Sequence, residues 1–113
     1  MSYETRCVKI RLKPDSIEKV RTWAKTINER KDEALETLRD EGVFLETVFL
    51  DQNSEGDFLI YVMKAESFER AQEAVKHSVH AIDEYHQNFK RECWADGQRL
   101  ETLVDLDRIS EIK

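Results

Sequence analysis

The spacing of apolar residues changes several times along this chain, and the order of these changes restricts the folds that it can adopt. Residues 6–12 alternate polar and apolar side chains, with Val8, Ile10 and Leu12 on one face. A period of two predicts a β-strand. Pro14 ends the strand, because proline fixes its own backbone and cannot donate a hydrogen bond.

A long helix is predicted next. Asp15 or Ser16 caps it, and an apolar stripe at spacings of three, four and seven residues carries it to Glu41. The stripe consists of Ile17, Val20, Ala24, Ile27, Ala34 and Leu38, and Trp23 extends it beside Ile27. Gly42 is suited to end it, because glycine adopts the left-handed conformation at little cost. Since the stripe lapses at Lys31, the helix either kinks there or extends beyond its own sheet.

The middle of the chain predicts a β-hairpin. Residues 43–50 and 58–65 are two apolar runs, and the segment between them, 51–57, is polar. Short apolar runs on either side of a polar turn are typical of paired antiparallel strands.

The last third of the chain predicts a pair of helices and a final strand. Ser67 can cap the first of these helices, and the phase of the apolar stripe breaks near Ser78 before a second helix begins. Asp96 and Gly97 indicate a turn. Residues 100–106 alternate again, which predicts the final strand.

Together these segments predict an α+β fold, a ferredoxin-like βαββαβ arrangement within a single domain spanning residues 1–113. Its four-stranded antiparallel sheet would carry the helices on one face, with the first and third strands at the centre. Such a sheet has a second face that no helix covers.

Charge and hydropathy exclude several classes of function. The chain has 18 Lys and Arg against 24 Asp and Glu, a net charge of -6, and an acidic surface repels nucleic-acid phosphates. It has neither the apolar run of a secretory signal nor that of a membrane helix. We therefore expect a cytoplasmic protein with no nucleic-acid or membrane partner.

The uncovered sheet face is where the sequence predicts a partner. If Val8, Ile10 and Leu12 face the helices, Lys9 and Arg11 lie on this face. The run 58–65 is apolar on both faces, and we take the phase in which Phe58, Ile60 and Val62 face the helices. Tyr61 and Glu46 then join the uncovered face. A large exposed apolar surface usually binds a partner, and two such faces would pack as a homodimer.

Several segments resemble a bacterial family of small proteins of unknown function: Arg-Leu-Lys-Pro at 11–14, residues 29–42, Tyr61 and residues 80–94. More distantly, the chain resembles the dimeric α/β-barrel superfamily, which includes cofactor-free monooxygenases, haem-handling enzymes and small-molecule isomerases. The resemblance covers nearly the whole chain. It implies a dimeric α/β barrel with a pocket, and it transfers no catalytic residues.

The candidate catalytic residues are His86 and Tyr61. His86 lies on the apolar stripe of the last helix, where it is either a general base or a hydrogen-bonded core histidine. Tyr61 either donates to a ligand oxygen or belongs to a dimer interface. The candidate ligand-binding residues are Arg11, which would anchor an anionic group, together with Lys9, Glu46, Trp23 and Tyr85.

His77, His80 and His86 lie within ten residues, and the first two have a spacing that metal ligation can use. The alternative is a polar junction between two helices. Nothing in the sequence supplies the remaining ligands, so we predict neither a metal nor a cofactor.

The leading interpretation is a homodimer that binds a small molecule near the sheet and carries out cofactor-independent acid–base or monooxygenase-like chemistry. The main alternative is a non-catalytic dimer in which Lys9, Arg11 and the acidic strand residues lock the interface. A third hypothesis, a metal-dependent enzyme, depends on the histidine cluster alone.

Overall fold

The computed structural model describes residues 3–111 and contains four strands and four helices in this part of the chain. The strands are β1 (Glu4–Leu12), β2 (Val43–Asn53), β3 (Gly56–Ala65) and β4 (Trp94–Arg99), and the helices are α1 (Ile17–Glu29), α2 (Lys31–Glu41), α3 (Phe68–Lys76) and α4 (Ala81–Cys93). A 3₁₀ turn follows at Ile109–Glu111. The strands pair antiparallel in the order β2-β3-β1-β4, which confirms the predicted fold class and the central positions of β1 and β3.

The long helix is divided at Arg30, close to the lapse in its apolar stripe at Lys31. Arg30 has φ −105° and ψ 36°, outside the helical range, so α1 ends there and α2 begins. Its N–H still donates to the carbonyl of Thr26, and α2 begins at the next residue without a loop. Gly42 ends α2 at φ 70° in the left-handed conformation, as predicted.

The phase of β1 is the predicted one, whereas the predicted phase of the hairpin strands is wrong. Val8 pairs with Tyr61, and Ile10 pairs with Leu59. Since directly paired residues share a face, Tyr61 and Leu59 face the helices with the β1 core residues. Val48 pairs with Tyr61 and lies on the same face.

The other residues of β3 therefore lie on the sheet face without helices, which we call the open face. Phe58 is only 5% exposed there, because Lys9 Nζ and Arg11 Cζ lie 4.3 and 4.8 Å from its ring centroid. Charged side chains thus cover an aromatic ring on this face. For this reason β3 is apolar on both sides, and its sequence could not indicate which side meets the helices.

The final strand also differs from the prediction. It is β4, Trp94–Arg99, rather than residues 100–106, and it follows α4 directly. Gly97 lies within the strand instead of a turn, where a Cβ would come 2.8 Å from Ile10 Cδ1. The glycine lets a buried β1 side chain pack over the edge strand.

After β4 the chain leaves the sheet as residues 100–108, which we call the C-terminal segment. Lys64, on the open face and 5% exposed, bonds Asp105 at 3.1 Å and Asp107 at 2.5 Å. Thr5 donates to Asp105 at 2.7 Å. These contacts hold the segment against one end of the open face. Its apolar side chains are exposed: Leu103, Val104 and Leu106.

Across the described residues, no helix has the length and apolar character that crossing a membrane requires. The cytoplasmic location stays a prediction from the sequence.

Candidate functional site

A cavity of about 530 Å³ lies between the helix-facing side of the sheet and the four helices. We call it the helix-side cavity. Small-molecule sites usually measure about 300–1,000 Å³ and combine apolar walls with a few polar groups. Its apolar walls include Trp23, Ile27, Val48, Met63, Phe68 and Ile82, and its ionisable groups are Arg6, Lys31, Glu41, Glu46, Asp83, His86 and Lys90.

The floor of the cavity contains a row of three residues across the sheet. Met63 of β3 pairs with Arg6 of β1 on one side and with Glu46 of β2 on the other. All three line the cavity. Strand pairing therefore places the cation of Arg6 on one side of Met63 and the carboxyl group of Glu46 on the other. The sequence prediction had Glu46 on the open face beside Lys9 and Arg11, and this placement is wrong.

His86 is held by a hydrogen bond with defined direction. The indole Nε1 of Trp23 lies 3.1 Å from His86 Nδ1, and an indole N–H can only donate. Nδ1 is thus the acceptor, and the neutral ring carries its proton on Nε2. Trp23 is itself fixed by stacking on Phe89, with ring centroids 4.5 Å apart.

Burial keeps this imidazole neutral. Loss of hydration and then the nearby charge of Lys90 lower the pKa of His86 to about 4. At neutral pH the ring therefore presents an Nε2–H donor. The predicted role as a general base requires a free nitrogen lone pair, and Trp23 occupies the one that the ring has.

Two carboxyl groups of the cavity, those of Glu41 and Glu46, have pKa values above the ordinary range. Burial, followed by repulsion from Asp83, Glu46 and Asp40, raises the pKa of Glu41 to about 7. Glu46 lines the helix-side cavity. Its side chain is accessible from the cavity, although protein atoms surround it on the other sides. Desolvation raises its pKa, and the positive charge of Lys90 partly opposes this shift. Groups with shifted pKa values in a cavity are candidates for proton transfer.

Tyr61 lies in the core rather than on the open face. It is 3% exposed, and its buried hydroxyl has no hydrogen-bond partner among the described residues. Trp94 packs edge-on against its ring at 5.2 Å, and the indole N–H lies near the phenol oxygen without reaching hydrogen-bonding geometry. Burial, the largest cause, raises the pKa of this phenol.

The predicted ligand-binding residues are divided between the two faces of the sheet. Trp23 and Glu46 line the helix-side cavity with His86, whereas Lys9 and Arg11 lie on the open face. Lys9 pairs with Asp51 at 3.6 Å, and Arg11 contacts Asp96 at 4.0 Å and the carbonyl of Glu55 at 3.2 Å.

Tyr85, the last of the predicted ligand-binding residues, packs against the edge of the core and is not among the residues that line the cavity.

The other two histidines form separate pairs. His80 lies 2.7 Å from Asp40, which raises the pKa of the imidazole, and His77 lies 3.2 Å from Glu73. In the part of the chain that the structure describes, no three His, Cys, Asp or Glu side chains are grouped so that they can hold a metal ion.

Sequence reasoning missed five ionisable residues of the cavity: Arg6, Lys31, Glu41, Asp83 and Lys90. A signal for Arg6 was present, because it has the same parity along β1 as Val8 and Ile10 and so shares their face. The helical residues gave no comparable signal, since charged positions near helix ends are usually solvated.

The open face carries an exposed apolar patch. Phe49 is 54% exposed and Leu45 40%. Their neighbours across the strands, Ile60, Val62 and Cys7, are partly exposed. The ion pairs of Lys9 and Arg11 border this patch.

Comparisons with solved structures support the fold. PA3566 from Pseudomonas aeruginosa is 10% identical, with a TM-score of 0.54 over 88% of this chain and 93% of that one. Rv0793 from Mycobacterium tuberculosis is 16% identical, with a TM-score of 0.54 over 94% of this chain and 100% of that one. At such identities the likeness concerns the fold alone, the dimeric α/β barrel fold.

No curated protein matches this chain. A family model described as "Family of unknown function (DUF6176)" matches residues 3–111, nearly the whole sequence. The chain therefore belongs to this family of unknown function.

Proposed function

We propose that the protein binds a small molecule in the helix-side cavity and moves a proton on or off a carbon atom next to a carbonyl group. The observation that carries the proposal is the hydrogen bond from Trp23 to His86, which leaves a neutral Nε2–H donor on a residue that lines the cavity. A donor of this kind stabilises negative charge that develops on a carbonyl oxygen.

Glu46 is the base in this proposal. Its raised pKa favours proton uptake, and it lines the same cavity as His86. The C–H bond breaks, the proton moves to a Glu46 oxygen, and the electron pair forms an enolate whose oxygen accepts the His86 N–H. Lys90 lies near enough to Glu46 to oppose the shift in its pKa and so helps to keep the carboxylate ionised.

Enolate formation is also the first step of cofactor-independent oxygenation, in which dioxygen is the co-substrate. The proposal therefore includes both chemical classes that the sequence suggested. Tyr61, the donor predicted from the sequence, is replaced in this role by His86, because the tyrosine hydroxyl is sealed inside the core.

The experiment is proton exchange in D₂O, with 2-tetralone as a planar carbon acid and proton NMR as the readout. We expect the wild-type protein to speed exchange of the α-protons, and Glu46→Gln to slow it at least tenfold, because an amide cannot accept the proton. Glu18→Gln, an acidic residue in the first turn of α1 and outside the cavity, is the matched control. Equal rates for the two variants would contradict the role of Glu46.

We also propose that two subunits pack through their open faces. The exposed patch around Phe49 and the exposed apolar side chains of the C-terminal segment support this. Lys9 and Arg11 pair within their own subunit, so the apolar residues carry the interface in this proposal. The same interface would serve the alternative function, a dimer without catalysis.

The test compares Phe49→Glu with Arg11→Glu by size-exclusion chromatography with light scattering. We expect Phe49→Glu to give monomers, since it would bury a charge in an apolar interface, and Arg11→Glu to leave the mass unchanged. If Arg11→Glu gave monomers and Phe49→Glu did not, ion pairs rather than apolar contacts would hold the interface together.

A further inference from the structure

Arg6 is the cation of the cavity floor, and it has no direct partner among the described residues. Among residues 3–111 its guanidinium makes no hydrogen bond or ion pair, and its Nε is buried without a partner. A buried, unpaired donor is costly, and such groups are therefore usually satisfied by protein, water or ligand. This side chain lines the helix-side cavity.

The nearest carboxylate is already engaged elsewhere. Glu4 Oε1 accepts the backbone N–H of Phe68 at 2.6 Å, at the first turn of α3. The other charge that acts on Arg6 is that of Arg99, which repels it and lowers its pKa after the larger effect of burial. Glu4 attracts Arg6 from a distance, but no carboxylate of the described residues forms an ion pair with its guanidinium.

A neighbouring aromatic ring orients the guanidinium. Arg6 Cζ lies 4.3 Å from the centroid of the Phe68 ring, and both residues line the cavity. A guanidinium stacked over a ring keeps the N–H groups at its edge free for partners in its own plane. Two parallel N–H groups match the two oxygens of a carboxylate.

We propose that Arg6 binds the carboxylate of an apolar monocarboxylic acid in the helix-side cavity. This inference rests on the proposed function of that cavity and names the class of its ligand. A single unpaired guanidinium matches a single negative charge. The cavity has three carboxyl groups, those of Glu41, Glu46 and Asp83, against the cations Arg6, Lys31 and Lys90, so it lacks the excess of positive charge that would favour a dianion such as a phosphate monoester.

The sheet also sets the length of the ligand. Arg6 and Glu46 lie on either side of Met63 in one row, so their backbones are two strand spacings apart, about 10 Å. A ligand whose carboxylate is bound by Arg6 presents its far end to Glu46. The carboxylate and the reactive carbon would thus lie at opposite ends of an apolar ligand.

The experiment titrates the protein with 2-naphthoate and with 2-naphthamide, which have nearly the same shape and differ in charge. Binding is followed by the indole N–H resonance of Trp23 in ¹H–¹⁵N spectra, because this residue lines the cavity. Arg6→Gln removes the proposed anchor. Arg11→Gln is the matched control, since that arginine lies on the open face.

We expect the wild type and Arg11→Gln to bind naphthoate at least tenfold more tightly than naphthamide, and Arg6→Gln to bind the two probes equally. Equal binding by the wild type, or a preference that survives in Arg6→Gln, would overturn the anchor. In either case naphthamide binding at Trp23 would leave the cavity proposal intact. Failure of both probes to shift the Trp23 resonance at 5 mM would overturn both proposals.

Discussion

The neutral state of His86 predicts a specific pH dependence of stability. In the unfolded chain the imidazole has an ordinary pKa of 6.5, whereas in the folded protein burial lowers it to about 4. Between these values the unfolded chain binds more protons than the folded one. Stability is therefore full above pH 6.5 and is lost as the pH falls towards 4.

The magnitude follows from proton linkage. For these two pKa values, we expect His86 alone to remove about 2 kcal/mol of unfolding free energy between pH 7 and pH 5. Three other groups, Glu41, Glu46 and His80, act in the opposite direction. All three have raised pKa values in the folded protein, so their contributions to stability decrease as the pH rises. The wild-type profile by itself thus contains contributions of both signs.

The variant that isolates His86 is His86→Asn. The amide does not titrate, and its oxygen can take the position of Nδ1 and still accept the Trp23 N–H. Urea unfolding at pH 7 and pH 5 gives the change in free energy for each protein. Subtraction of the change in the variant from that in the wild type cancels the contributions of Glu41, Glu46 and His80 and should leave the roughly 2 kcal/mol of His86.

His77→Asn is the control, because the side chain of His77 is 77% exposed. It should follow the wild type at both pH values. If His86→Asn loses as much stability as the wild type between pH 7 and pH 5, the reasoning about the buried neutral ring is refuted. A protonated Nδ1 in ¹⁵N spectra of the wild type at pH 7 would refute the assigned tautomer.

Two further predictions concern the C-terminal segment and the turn after α2. Lys64→Met removes the ammonium that binds Asp105 and Asp107, so limited proteolysis should cut within residues 100–108 faster than in the wild type; an unchanged rate would show that other contacts hold the segment. Gly42→Ala adds a Cβ at φ 70°, 3.1 Å from the Glu66 carboxylate, and should cost about 1 kcal/mol in urea unfolding. A variant as stable as the wild type would count against strain at this position.

The candidate site was only partly predictable from the sequence. His86 and Trp23 were identified as candidates because both lie on apolar helix stripes, and the structure brings them into contact. Arg11 was assigned the role of an anion anchor from its charge and its strand position. Arg6, five residues earlier, lines the cavity instead, because strand parity alone decides which of the two faces the helices.

Local periodicity determined the order of elements, the break near Lys31, the cap at Ser67 and the end of α2 at Gly42, since each of these depends on backbone geometry within a few residues. Only the tertiary structure decided the orientation of the hairpin, because Phe58 is buried under Lys9 and Arg11 and makes both faces of β3 apolar.

Only the tertiary structure decided which residues form the final strand. Residues 100–106 alternate as a strand does, yet Trp94–Arg99 occupies the edge of β1, and Lys64 draws the following residues onto the open face. Pairing partners and buried ion pairs join residues that are distant in the sequence. A pattern that extends over a few residues carries no information about them.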